Sequence, residues 1–147
     1  MLFFGKYEHS LDSKYRLRIP ARLKEELMKD EPRPTKEDAP SIAKNGDGSL
    51  VIYPASTIRR IGEKIRDLGV PKEKRQKLMV FLSNIYPIDE DSQGRFTLNA
   101  TLREYAGITK DVVFVGECDR IALWDRAKWQ EYEANCPEDI SLEEYGI

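Results

Sequence analysis

The chain has 147 residues, with 24 Lys or Arg against 26 Asp or Glu for a net charge of −2, and 40% of its residues are apolar. That is material for one small domain or two intertwined halves, and too little for two independent domains. The longest apolar runs, Met79–Leu82 and Val112–Val115, are too short to cross a bilayer, and Met1–Phe4 lacks the basic start and long apolar core of a secretory signal, so a soluble, cytoplasmic protein is expected.

Residues 5–12 mix apolar and polar positions without a helical stripe. Asp12-Ser13-Lys14-Tyr15 reads as a turn, because short Asp and Ser side chains accept hydrogen bonds from a bent backbone. From Arg16 the pattern alternates, placing Arg16 and Arg18 on one face of a strand and Leu17 and Ile19 on the other. Pro20 opens a helix over Ala21–Met28, since a proline at the first turn loses no helical hydrogen bond. The stretch from Lys29 to Pro40 holds three prolines and many charges, a composition that forms a surface loop. A strand pair from Ile42 to Tyr53 turns at Asn45-Gly46-Asp47-Gly48. Ile58, Ile61, Ile65 and Leu68 then recur at helical spacing, and after Gly69-Val70-Pro71 a second helix, Lys72–Leu82, completes a linking helical hairpin with basic outer faces.

The chain then repeats itself. Asp12-Ser13-x-x-Arg16 returns 79 residues on as Asp91-Ser92-x-x-Arg95; Leu17 and Ile19 return as Phe96 and Leu98, and Leu23-Lys24-Glu25 as Leu102-Arg103-Glu104. Tyr7 matches Tyr86 upstream. The second copy predicts a helix over Ala100–Ala106 closed by Gly107, and a strand pair from Val112 to Trp124 turning at Gly116-Glu117-Cys118-Asp119. A last helix, Arg126–Ala134, follows, capped by Asp125 and with Trp129 packed inward. Arg16 to Tyr53 spans 37 residues but Arg95 to Trp124 only 29, which places about eight extra residues of the first copy in the Pro-rich stretch at about 29–40. The organisation is therefore repeat 1 over 5–55, a helical connector over 56–83, repeat 2 over 84–127, and a C-terminal helix with an acidic tail over 128–147.

Two equivalent sites in one chain suit a repetitive or dyad-related partner better than a small substrate. Nucleic acid is the obvious candidate, and the charge is uneven enough to allow it: residues 1–24 hold six basic residues against two acidic ones, whereas 125–147 hold seven acidic against two basic. Arg16 and Arg95 are the candidate DNA contacts, because a planar guanidinium donates two parallel hydrogen bonds to phosphate oxygens or to the edge of guanine. Lys14 and Arg18 share the face of Arg16, and Gln93 occupies the second turn; these three are added as DNA-binding residues from their neighbourhood. Asp12 and Asp91 are read as structuring the turns and pairing with the arginines.

Enzymatic readings fail on inventory. His9 is the only histidine and its counterpart is Ile88. Cys118 and Cys136 have no partner at metal-ligand spacing and are expected as free thiols, so no metal or cofactor is implied. Asp12 and Asp91 beside basic residues would both stay ionised and could not divide acid and base roles. The chain is read as not an enzyme, with double-stranded DNA and itself as partners, and with no membrane and no small-molecule substrate.

On these residues the chain resembles the MraZ family of bacterial transcriptional regulators, built from two AbrB-like (SpoVT/AbrB) repeats that each carry Asp-x-x-x-Arg. The resemblance runs through Gly5-Lys6-Tyr7-Glu8-His9, Asp12-x-x-x-Arg16-Leu17-x-Ile19-Pro20-Ala21, Leu50–Pro54, Asp91–Phe96, Leu102–Gly107 and Ile121–Trp124. It implies an α+β fold with a swapped-hairpin, double-ψ-like β-barrel and short helices, and ring-shaped homo-oligomers. It also implies repression of the division and cell-wall gene cluster through short promoter direct repeats, in the cytoplasm and at the nucleoid, with Arg16 and Arg95 touching DNA. The alternatives are an antitoxin-like protein that binds a protein partner through its C-terminal region, and a scaffold ring without specific DNA affinity. Three departures stand out. Tyr15 replaces the usual Gly or Asn, so either the first turn differs or it accepts strain, and the ring could stack on a sugar or base. Asn99 replaces the expected Pro but can still cap a helix. The third is the Pro-rich insertion itself, which is expected to alter packing between neighbouring subunits.

Overall fold

Local signals set most of the element boundaries. In the computed structural model, which describes residues 1–30 and 38–147, most of the Lys29–Pro40 loop lies outside the described residues. The strands are β1 (Lys6–Ser10), β2 (Arg16–Arg18), β3 (Ser41–Lys44), β4 (Leu50–Tyr53), β5 (Tyr86–Pro87), β6 (Arg95–Thr97), β7 (Asp111–Glu117) and β8 (Arg120–Asp125). The helices are α1 (Ala21–Met28), α2 (Ala55–Leu68), α3 (Lys72–Ser83), α4 (Ala100–Ala106) and α5 (Arg126–Ala134), followed by a 3₁₀ turn at Leu142–Tyr145. Asn99 Oδ1 accepts from Leu102 N at 2.9 Å to start α4, Gly107 ends it at φ 66°, and Asp125 accepts from Lys128 N at 3.1 Å to start α5. Buried Asp30 caps α2 from a distance, accepting from the backbone N–H of Ser56 at 3.0 Å and from its hydroxyl.

The α+β class is as expected, but a closed barrel is not what forms. The strands make a six-stranded antiparallel sheet, ordered β1-β7-β8-β4-β3-β5, and a separate two-stranded ribbon, β2-β6. β1 and β5 remain edges. The reason is visible in strand length: β5 has only two residues, one of them Pro87 with no N–H to give, and β2 and β6 have three each. β2 and β6 therefore pair only with each other, and β5 adds just two residues to the edge of the large sheet.

The register shows how the two repeats interlock. Leu17 faces Phe96 in the ribbon, and these are the same position in the two copies, so a pseudo-twofold axis passes between them. Arg16 faces Thr97 and Arg18 faces Arg95, each pair the mirror of the other under that axis. In the large sheet Leu50 pairs with Leu123 and Ile52 with Ile121 about a second crossing of the same symmetry at Val51 and Ala122. Phe114 of repeat 2 takes Tyr7 of repeat 1, and Ile42 of repeat 1 takes Tyr86 of repeat 2. Each repeat thus lends its first strand to the hairpin of the other.

Alternation along the strands divides the apolar residues between two faces. Ile42, Leu50, Ile52, Ile121, Leu123 and Phe114 join Leu17, Phe96, Leu98 and Leu102 in the main core beneath the ribbon. Ala43, Val51 and Tyr53 point the other way and receive Ile58 and Ile61 of α2 and Phe81 of α3. The apolar stripe of α2 outruns the sheet, leaving Leu68 77% exposed. Among the described residues no helix is long and apolar enough to cross a membrane.

Candidate nucleic-acid interface

The two Asp-x-x-x-Arg segments fold into the same turn. Asp12 Oδ1 accepts from the backbone N–H groups of Lys14 and Arg16, each at 2.9 Å, while Oδ2 accepts from Arg16 Nε at 2.8 Å. Asp91 repeats the set with Gln93 N and Arg95 N, each at 2.9 Å, and Arg95 Nε at 2.9 Å. Each turn is closed by the Asp N–H donating to the Arg carbonyl and by residue 15 or 94 donating to the Asp carbonyl. A carboxylate that accepts two backbone N–H groups while gripping a guanidinium fixes both the loop and the arginine.

These contacts hold the carboxylates in their charged form. Asp12 sits below its ordinary pKa, first because of the Arg16 backbone hydrogen bond, against an opposing push from burial, with the Arg16 side chain and the Lys14 N–H adding to the lowering. Asp91 is lowered likewise, first by the Arg95 backbone hydrogen bond.

Because β2 and β6 pair antiparallel, the two turns meet on one ribbon. Arg16, Arg18 and Arg95 lie on its outer face with Thr97, opposite Leu17 and Phe96. Asp12 stands between the motifs, with Arg95 Nη1 4.0 Å from its Oδ2. The Arg16 and Arg95 side chains are each 25% exposed, and among the described residues their Nη groups make no hydrogen bond. Arg18 Nη2 donates to Gln93 Oε1 across the ribbon at 3.4 Å. Lys14 is exposed and forms no ion pair among the described residues. All five candidate contact residues and both structuring aspartates therefore fall in one region, built from both repeats.

Tyr15 does take a left-handed backbone, φ 60°, matching φ 74° at Gly94. Its ring is stacked by the guanidinium of Arg103, 3.6 Å from the ring centroid. Arg103 also donates to the Leu98 carbonyl at 2.6 Å, tying α4 to the first turn. Sequence reading did not single out Arg103 or Thr97; Thr97 was detectable only as the outward residue opposite Arg16. Beside the ribbon Lys24 pairs with Glu90, joining α1 to the approach of the second turn. Cys118 and Cys136 are both free and exposed.

The fold and site define a duplicated α+β protein whose two Asp-Arg turns are joined in one exposed ribbon. A family model described as MraZ protein, antitoxin-like, matches residues 81–144. The transcriptional regulator MraZ of Clostridium botulinum (strain Eklund 17B / Type B) is 35% identical over 144 residues, covering 97% of this chain and 95% of its own. The protein of that name from Syntrophomonas wolfei is 35% identical with 91% and 88% covered, and that of Heliobacterium modesticaldum 36% with 89% and 86%. The chain belongs to the MraZ family.

Proposed function

We propose that this protein is a sequence-specific DNA-binding transcriptional regulator, a repressor of the division and cell-wall gene cluster that acts at the nucleoid of the cytoplasm as a ring-shaped homo-oligomer on short promoter repeats. The observation that carries the reading is the convergence of two identically built guanidinium mounts on the outer face of one two-stranded ribbon. A two-stranded ribbon fits the major groove of B-DNA, and an arginine gripped at Nε keeps its two Nη groups for a base edge or phosphate. Arg16 and Arg95 read bases; Lys14, Arg18 and Gln93 position the backbone; Asp12 and Asp91 hold the turns. The exchange of first strands between repeats supports reading the fold as a swapped-hairpin arrangement.

The test is fluorescence anisotropy on a duplex from the chain's own upstream region and on a shuffled duplex of equal length. Arg16→Ala and Arg95→Ala are each expected to weaken the specific duplex by about 1–3 kcal/mol, the worth of one bidentate base contact. Arg16→Lys keeps the charge but loses the fork, so it should retain shuffled-duplex binding and lose the difference between the two. Unchanged affinity in both alanine variants refutes the reading, and equal weak binding of the two duplexes by the native protein supports a scaffold instead.

A further inference from the structure

The outer side of β8 carries a second site that lies apart from the ribbon. Trp124, Trp129 and Tyr132 stack together, with ring centroids 5.7 Å apart for the two tryptophans, 4.8 Å for Trp124 and Tyr132, and 5.7 Å for Trp129 and Tyr132. Trp124 comes from β8 and the other two from successive turns of α5, so the inward packing expected of Trp129 is against the back of the sheet. These rings line a cavity of about 180 Å³ whose remaining wall includes Val115, Asp47 and Glu117.

Three properties of this cavity point to one occupant. Its walls pair aromatic faces with two carboxylates, the surroundings that favour a cation. Asp47 Oδ1 is committed to Ser49, accepting from its N–H at 3.1 Å and its hydroxyl at 2.5 Å. Glu117 lies opposite Arg120 across β7 and β8 and feels its charge, but among the described residues it makes no hydrogen bond or ion pair with it, so its carboxylate oxygens remain open to a second cation. Trp129 Nε1 is closed to solvent and has no acceptor among the described residues, and buried N–H groups are normally paired. The volume falls below that of usual small-molecule sites and suits one long side chain.

We infer that this cavity docks an arginine side chain of a protein partner. The guanidinium stacks on the aromatic rings and meets the Glu117 and Asp47 carboxylates. Arginine is favoured over lysine because its plane both stacks on rings and bridges carboxylate oxygens. The inference does not rest on the DNA-binding reading, since the cavity is built by β7, β8, α5 and the β3–β4 turn and uses no ribbon residue.

Both tryptophans of the chain line the cavity, so intrinsic fluorescence reports on it directly. The probes are the capped tripeptide Gly-Arg-Gly and the same peptide with citrulline, an uncharged isostere, in place of arginine. The arginine peptide is expected to give a saturable change, and the citrulline peptide half-saturation about tenfold weaker or more. Glu117→Gln and, separately, Tyr132→Ala, both at exposed positions, should each weaken the arginine peptide severalfold while leaving far-UV circular dichroism and DNA anisotropy as in the native chain. A non-saturating response, equal response to the two peptides, or full binding by Glu117→Gln overturns the proposal. So does a fluorescence change on diluting the protein alone, which would seat a second copy of the chain in the cavity.

Discussion

Substituting Tyr15 separates backbone strain from side-chain contact. With φ 60° its Cβ crowds the following carbonyl, a conformation that costs a residue with a side chain about 1–2 kcal/mol. Against this stand the Arg103 stack at 3.6 Å, worth about 0.5–1 kcal/mol at an exposed site, and the burial of roughly half the ring, about 1 kcal/mol. Tyr15→Ala loses both contacts and keeps the strain, so it should destabilise by about 1.5–2 kcal/mol. Tyr15→Gly loses the same contacts and sheds the strain, but adds about 0.5–1 kcal/mol of unfolded-chain freedom. Glycine should therefore be the more stable of the two by about 0.5–1 kcal/mol. Gly94→Ala supplies an internal control. Its Cβ would meet only Glu90 Oε2 at 3.6 Å, an ordinary contact, so its loss of about 0.5–1 kcal/mol reports the backbone term alone. Urea unfolding of the four proteins at one protein concentration measures all three differences. A Tyr15→Gly variant less stable than Tyr15→Ala, or a neutral Gly94→Ala, refutes the account.

Two further outcomes follow from the turns and caps. Asp30→Ala leaves Ser56 N–H and its hydroxyl at the start of α2 without their acceptor and should cost about 1–2 kcal/mol in thermal unfolding, with Ser56→Ala costing less because it removes one bond and not two. Asp12 and Asp91 are depressed below 3.8 in the folded chain, so the unfolded chain binds their protons more readily; the stability they supply is complete above that value and drains as pH falls through the lower folded values. Asp12→Asn should accordingly flatten the acid limb of a stability–pH curve below about pH 4, and an unchanged limb would show that the turn hydrogen bonds are not what depresses the carboxyl.

What was legible from the residues was whatever the residues settle locally. Pro20, Asn99, Gly107 and Asp125 mark helix ends by backbone chemistry alone, and α1, α4 and α5 begin and end where those signals place them. The Asp-x-x-x-Arg turns were readable because an aspartate satisfies its own loop. Non-local pairing was not. That Leu17 meets Phe96, and hence that the arginines of both repeats share one ribbon, depends on a contact between positions 79 residues apart. β1 went unassigned because its alternation is carried by Tyr7 and His9, which are weak apolar markers; its pairing with β7 is what makes it a strand. The closed barrel came from the resemblance and failed on the brevity of β2, β5 and β6, which no motif encodes. Tyr15 raised the question of strain, but its partner Arg103 lies 88 positions on and bore no local signal.

If the ribbon binds DNA as proposed, the pairing of arginine with aspartate in each turn has a consequence for how it would hold the duplex. An Nε–H bond to a carboxylate fixes the guanidinium before any ligand arrives, which lowers the ordering cost of binding, yet the carboxylate cancels most of the long-range attraction to phosphate. Of the four cations on the ribbon, Arg16 and Arg95 are compensated by Asp12 and Asp91, and Lys14 and Arg18 are not. Counterion release then counts about two charges per engaged subunit, giving a slope of log affinity against log salt of about −1.8 per subunit, where four free cations would give about −3.6. On the proposed reading a subunit so charged would bind random DNA poorly, and useful affinity would arise only when several ribbons engage one duplex and each raises the local concentration of the next. Anisotropy titrations across a salt series, divided by the subunits bound per duplex, decide the matter. A slope near the larger value would mean that the aspartates release their arginines on contact with DNA, and that the turns are switches and not fixed mounts.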